Sequence, residues 1–410
     1  MNRLPVAAQR FLRYVPYNTQ SDSESETVPS SPSIKIFAEA LADECAAIGL
    51  SDVKINSGCC VTAVLPSNAA GKKIPAVGFI AHTDTSPDAP GNLAEPKIEY
   101  SYGGGKIRLN DNVSLTPKMF PHLKNYIGQD IICTDGNALL GADNKAGIAS
   151  IMTAMEFFLQ NKDVPHGKVV IAFTPDEEIG RGTDCFDVKL FGADFAYTVD
   201  GGEIGELETE SFNAAKASFV INGASVHPGY AKDVMKNAAL IAAKMIGAFP
   251  RNETPSETEN REGFYHLTEV GGDVGRAWFT YIIRDFDAEN FALRKKFTEK
   301  LTQDINDCYG EGTAVLKIKD EYRNMADVLK NFEYVVTIAE RAMKLAGVEP
   351  LKRAIRGGTD GARLSFMGLP CPNIFAGGHN FHGPYEYLPV PSLLKSVEVI
   401  INIVREVYNG

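Results

Sequence analysis

Val169-Val-Ile-Ala-Phe-Thr-Pro-Asp-Glu-Glu178 reads as a short strand that runs into a cluster of carboxylates. Five apolar residues in succession, with no polar alternation, form the pattern of a strand buried on both faces of a sheet. The pattern recurs at Ile74–Ala81, followed by His82-Thr83-Asp84, and at Phe195–Val199, followed by Asp200-Gly201-Gly202. A helical stretch at 32–48, with Ser31 at the N-cap and Pro32 at the first helical position, precedes these strands, and another at 145–159 separates the one from Ile74 and the one from Val169. This alternation predicts an α/β fold, a mainly parallel sheet with helices on both faces.

From Ser211 the character changes. Strands are expected at 211–222, 263–269, 274–285 and 313–322, with helices at 236–249 and 287–308. That order, β-α-β-β-α-β, is the ferredoxin-like unit, an α+β fold able to stand alone. The α/β pattern then resumes with a helix near 331–346, the strand Asn373–Ala376 and a closing helix Ser392–Tyr408. The expected organisation is a catalytic domain of residues 1–210 and 323–410, interrupted by an inserted lid domain, 211–322. Segments 19–32 and 251–262 read as polar loops. The run Gly103–Gly105 is expected to turn a hairpin, because no helix start with Lys and Ser/Thr follows to make a phosphate loop.

Composition narrows the function. The 410 residues suit two domains, and 44% apolar with 23% charged content is ordinary for a globular protein. The net charge of −11 (41 basic against 52 acidic residues) disfavours nucleic acid and suits cations, including a peptide's free amino terminus. Seven scattered cysteines without a CxxC pair read as reduced thiols. Arg10 and Arg13 interrupt the N-terminal apolar residues, so no secretory segment is expected, and no run approaches the roughly 20 apolar residues of a membrane span. The expected compartment is the cytoplasm.

Ligands of open parallel sheets bind beyond the carboxyl ends of the strands. There the sequence places His82 and Asp84, then Asp176, Glu177 and Glu178, then Asp200, and a glycine-rich loop with His379 and His382; Asp143 stands just before the helix at 145. One Asp after a strand is ordinarily a cap or turn residue. Five segments converging on one edge are another matter, since buried carboxylates cost several kcal/mol each without compensating cations. Two divalent cations satisfy the set: three carboxylates and two neutral imidazoles bring about −3 against +4, leaving positive charge to acidify a bridging water. Nitrogen and oxygen donors without thiolate favour zinc, with manganese or cobalt as substitutes.

His82-Thr-Asp84, Gly-Ala-Asp143-Asn-Lys-Ala-Gly, Thr-Pro-Asp-Glu177-Glu178 and Val-Asp200-Gly-Gly resemble the M20 family of di-zinc peptidases. Val226-His227-Pro-Gly229, Gly263-Phe-Tyr-His-Leu267, Ile282-Ile-Arg284-Asp-Phe-Asp287 and Ile355-Arg356-Gly-Gly-Thr-Asp-Gly-Ala362 point to its tripeptide aminopeptidase branch. The resemblance implies that His82 and Asp200 bind one metal, Glu178 and His382 the other, and that Asp143 bridges them. It implies Asp84 as the carboxylate orienting His82, Glu177 as general base, and His227 as the oxyanion donor. Arg284 and Arg356 are candidates to clamp a substrate carboxylate, or else structural ion-pair partners. Asp176 is expected to be a turn or surface residue, and His122, His166 and His266 structural or exposed. Two departures stand out. Asn144 replaces a frequent Asp beside the bridging residue, and the C-terminal loop offers two histidines, of which His382 matches the family's ligand. The implied activity is release of the N-terminal residue from tripeptides, with short peptides as partners. A homodimer through the lid is also admitted, with His227 acting within its own chain or across the pair. The competing readings are a carboxypeptidase or N-acyl-amino-acid deacylase, and a non-catalytic peptide-binding protein.

Overall fold

Eight strands make the main sheet of the computed structural model, which describes residues 3–92 and 95–410. Their order is Ser51–Ile55, Val61–Leu65, Val169–Thr174, Val77–His82, Phe195–Gly201, Asn373–Phe375, Glu206–Ser211 and Leu351–Ile355. The four central strands, from Val169–Thr174 to Asn373–Phe375, run parallel. Val61–Leu65 and Glu206–Ser211 flank them antiparallel.

Both faces are covered, which explains the unbroken apolar runs. Phe79, Ile171, Phe173, Tyr197 and Val199 pack on one side with the helices Ala142–Gln160 and Val390–Asn409. Their alternates Ile80, Val170, Ala172 and Ala196 pack on the other with Phe186, Phe191 and Leu364. The helix Ala142–Gln160 approaches the sheet so closely that a Cβ on Gly147 would lie 2.0 Å from the carbonyl oxygen of Val199. The strand expected from Ile74 starts at Val77 instead, because Pro75 has no N–H to give to a ladder. Ser31 stands at the N-cap of Pro32–Ile48, but its hydroxyl pairs with Ser33 Oγ at 2.8 Å rather than with the helix backbone.

The chain divides into two compact units, one of Met1–Thr209, Met325–Arg353 and Thr359–Gly410, the other of Glu210–Asn324 and Ala354–Gly358. The expected catalytic segment 1–210 includes residues 1, 2, 93 and 94, which lie outside the described ones. The second unit is a four-stranded antiparallel sheet in the order Phe264–Gly272, Arg276–Asp285, Asn213–Asn222, Ala314–Tyr322. With the helices Ala238–Ile246 and Ala288–Tyr309 it has the β-α-β-β-α-β order. Asn237 and Asp287 cap those helices, accepting from Leu240 N and Asn290 N. Ala215, Ala217, Phe219 and Ile221 alternate onto the helix-covered face, where Phe219 stacks on Phe279 at 4.4 Å.

Gly103–Gly105 does not turn a hairpin. The preceding strand Lys97–Glu99 pairs with Ile131–Cys133, which in turn pairs with Tyr387–Pro389. The hairpin lies further on, between Ile107–Arg108 and Ser114–Leu115. Asn110 organises it by accepting from Asn112 N and Val113 N, side-chain bonds that glycine cannot make. All seven cysteines are free thiols, and no helix among the described residues is long and apolar enough to cross a membrane.

Candidate metal centre

The carboxyl ends of the central strands carry the polar cluster. His82 is the last residue of its strand, Asp200 the penultimate of its own, and Glu177 and Glu178 open the turn after Val169–Thr174. Asp143 sits at the start of Ala142–Gln160 with non-helical angles (φ −84°, ψ 104°), which turn its side chain off the helix path. His382 adopts φ +63° in the loop after Asn373–Phe375.

His82 Nε2 lies 2.8 Å from Asp143 Oδ1 and 3.2 Å from Asp200 Oδ1. His382 Nε2 lies 3.0 Å from Glu178 Oε2 and 3.4 Å from Asp143 Oδ2. Asp143 thus turns one oxygen to each imidazole. Two groups result, His82–Asp143–Asp200 and Asp143–Glu178–His382, each with its donor atoms within 4.8 Å of one another.

These residues fit a cation better than they fit each other. His82 Nδ1 faces two acceptors, the Asp84 carbonyl oxygen at 3.0 Å and Asp84 Oδ1 at 3.4 Å, so it is the nitrogen that carries the proton when the ring is neutral; against the cost of burial, Asp200, Asp143 and Asp84 raise the ring well above the usual imidazole range. Nε2 then points a lone pair at two carboxylate oxygens, an arrangement that positive charge must reconcile. Asp200 Oδ1 and Glu178 Oε1 are buried without a hydrogen-bond partner. Protons otherwise serve as the counter-charge. Burial and the Asp143 charge push Glu178 up to about 8, and bonds to Asp143 and Glu178 raise His382 to about 11. Burial also raises Asp200 to about 6, with Asp143 adding to the shift.

Glu177 is raised well above the usual carboxylate range by burial and by Asp200, Asp360 and Glu178, against the pull of His82. Its main chain is fixed by Asp84, which is fully buried: Oδ1 accepts from Glu177 N at 3.0 Å and Oδ2 from Glu178 N at 3.1 Å.

Other supporting residues escape a reading by motif. Asp88 Oδ2 lies 3.0 Å from His382 Nδ1, the place of an orienting carboxylate. Asn373 Oδ1 accepts from Asp200 N at 3.0 Å. Asp360 is buried beneath the cluster, accepts from Thr174 Oγ1 at 2.7 Å, and is pushed by burial up to about 7. Its place in Gly-Gly-Thr-Asp-Gly was the one available signal, and Asp88 had none.

The remaining candidates sit elsewhere. His379 is buried, 2.6 Å from the Tyr126 hydroxyl and stacked on His122 and Tyr387, while burial lowers it to about 3. His166 is likewise buried, its Nδ1 2.8 Å from the Gly167 carbonyl, and His266 is an exposed strand residue. Asp176 is a turn residue, φ +58°, but not a surface one: it is buried and accepts from Ser30 N at 2.8 Å and Ser30 Oγ at 2.5 Å. It ties the polar loop before Pro32 to the ligand turn. In the second unit, His227 Nδ1 accepts from Gly229 N at 3.1 Å. Arg356 donates to Thr258 O and Oγ1, Asn260 O and Glu262 O, so its guanidinium is spent on backbone and hydroxyl oxygens. Arg284 donates to the Arg356 carbonyl at 3.0 Å, and its Nε is buried without a partner.

A parallel sheet presenting two ligand groups joined by a shared carboxylate defines the class: a metal-dependent hydrolase. The model of Peptidase family M20/M25/M40 matches residues 136–406, and the chain belongs to that family. A Peptidase T of Caldanaerobacter subterraneus subsp. tengcongensis is 52% identical over 399 residues, covering 97% of each chain. One from Clostridium botulinum (strain Okra / Type B1) is 51% identical over 397 residues, 96% of this chain and 97% of the relative. The fold is shared with an aminopeptidase PepT of Bacillus cereus (TM-score 0.74, 22% identity, 98% of both chains). It is shared also with a Staphylococcus aureus tripeptidase (TM-score 0.75, 22% identity, 99% of this chain and 98% of that one).

Proposed function

We propose that this chain releases the N-terminal residue from tripeptides, as a metal-dependent aminopeptidase loaded with two zinc ions. The observation that carries the reading is Asp143, with one oxygen toward His82 and Asp200 and the other toward His382 and Glu178. The tripeptide is supported by the relatives named Peptidase T at 51–52% identity over nearly the whole chain. His82 and Asp200 would hold one ion, Glu178 and His382 the other, and Asp143 would be shared between them; manganese or cobalt could substitute. When bound, the ions supply Lewis-acid polarisation of the scissile carbonyl and acidify the attacking water.

The protein's own groups do the rest. Glu177 accepts the proton of the water at its carboxylate and delivers it to the leaving amine nitrogen. Asp84 keeps His82 in the tautomer that leaves Nε2 free for a cation. His227 is the oxyanion donor: with Nδ1 accepting from Gly229, its proton sits on Nε2, ready for a carbonyl oxygen. Of the two arginines, Arg284 is the better clamp for the peptide's carboxylate, since Arg356 is already committed. A cytoplasmic location and a homodimer through the second unit complete the reading, sedimentation being the check on the latter.

The test is an assay of di-, tri- and tetrapeptides with free and N-acetylated termini, before and after chelation. Cleavage should be confined to free-amine tripeptides and vanish with the metal. Preference for the acetylated peptide would replace the aminopeptidase by a deacylase, and activity in metal-free protein would remove the mechanism.

A further inference from the structure

Asp143 must place two oxygens at once, yet the chain around it is irregular. Gly141 is left-handed (φ +73°), and Asp143 and Asn144 are non-helical within the first turn of Ala142–Gln160. Such a turn cannot satisfy its N–H groups through the helix, so an outside acceptor must define it. That acceptor is a single buried side chain. Glu386 Oε2 accepts from Leu140 N and Gly141 N, each at 2.8 Å, and Oε1 accepts from Asp143 N at 3.1 Å.

We propose that Glu386 is a positioning residue that governs both metal sites together, by holding the bridging Asp143 in register with the His382 loop. The inference rests on the two-metal reading above. Glu386 is 1% exposed and four residues beyond His382. Its own backbone is tied to that loop, Glu386 N donating to Gly383 O at 3.3 Å, and to the neighbouring strand, Thr134 N donating to Glu386 O at 3.3 Å. One side chain therefore joins the segment that supplies His382 to the turn that supplies Asp143.

Burial and the Asp143 charge push the Glu386 carboxyl up to about 7, against the groups that favour its charged form. Three N–H dipoles converge on the carboxylate, and the ammonium of Lys145 is buried nearby, donating to Tyr17 O at 2.6 Å. The contrast with the other supports is specific. Asp88 lies against the His382 imidazole alone, and Asp84 against His82 and the main chain of Glu177 and Glu178, whereas Glu386 acts on Asp143, the ligand common to both groups.

Glu386→Gln tests this. The amide keeps the volume but turns an NH2 toward N–H donors, so all three bonds cannot persist. Zinc affinity is read by competition with a chromophoric chelator, and the visible spectrum is read on cobalt-loaded protein. Both ions should weaken in parallel by about tenfold or more, with an altered cobalt spectrum, kcat lowered at saturating zinc, and KM within about twofold of the parent. Asp88→Asn should instead weaken one ion preferentially. If Glu386→Gln does not accumulate folded, Glu386→Asp carries the same test, since its charge is kept but its reach is one methylene short. Two zinc affinities within about twofold of the parent, whatever the melting temperature does, would overturn the proposal. So would weakening of one ion alone. A parent protein binding fewer than two ions would instead remove the two-metal reading itself.

Discussion

Replacing Asp84 by asparagine isolates the group that connects one candidate metal ligand to the proposed base. The carboxylate is fully buried and accepts from Glu177 N at 3.0 Å and Glu178 N at 3.1 Å. Asparagine preserves volume, but one of its two terminal atoms becomes a donor. Whichever way the amide turns, one main-chain N–H loses its acceptor, and the other exchanges an ionised acceptor for a neutral one. An unsatisfied buried N–H costs roughly 1–3 kcal/mol, and the weaker remaining bond about 1 kcal/mol more. Asp84→Asn should therefore destabilise the chelator-treated protein by about 2–4 kcal/mol in urea unfolding. His82 keeps the Asp84 carbonyl oxygen at 3.0 Å as partner for Nδ1, so two ions should still bind at saturating zinc. The damage to activity falls on Glu177 and Glu178, whose backbone is released; a displacement of 1 Å costs roughly 100-fold, so kcat should drop by about that factor. Destabilisation below about 0.5 kcal/mol together with kcat within about threefold of the parent would refute the assignment.

Other outcomes follow from the same geometry. Glu177→Gln should lower kcat on a tripeptide by about 10²–10⁴ while metal analysis still returns two ions; a nearly normal kcat would remove Glu177 from proton transfer. Gly147→Ala would set a Cβ 2.0 Å from Val199 O, a main-chain atom that cannot swing aside, so it should destabilise by about 3 kcal/mol in urea unfolding, and an unchanged urea midpoint would refute the close approach. Asp360, raised by burial from 3.8 to about 7, holds a proton in the folded state that the unfolded chain releases. Its contribution is thus present below about pH 4 and lost as pH climbs to about 7. Asp360→Asn should flatten that fall in urea midpoints of metal-free protein, and an unchanged slope would exclude it as the source.

The strands and the candidate ligands were legible because both are local signals. An apolar run without alternation means burial on two faces wherever it occurs, and a polar residue at its carboxyl end has a predictable address. Hence His82, Glu178 and Asp200 could be named from short windows. The inserted unit was legible for the same reason, its helix and strand periods being local. Burial was less so. Asp176 carried the marks of a turn, and only the Ser30 contacts show that the turn is interior. Arg356 looked as available as Arg284 until the carbonyls of 258–262 were seen around it.

What the sequence determined by itself is the fold class, the edge of the sheet where chemistry resides, and the donor types that suit a pair of divalent ions. The division of those donors came from the sequence only through resemblance, and the tertiary structure supplies the contacts that draw them into two groups. Asp143 meets His82 across 61 residues, Glu386 holds Asp143 across 243, and Asp88 reaches His382 across 294. No periodicity or spacing encodes contacts of that range. They arise from the packing of strand ends and loops, and that packing gives one carboxylate an oxygen for each ligand group.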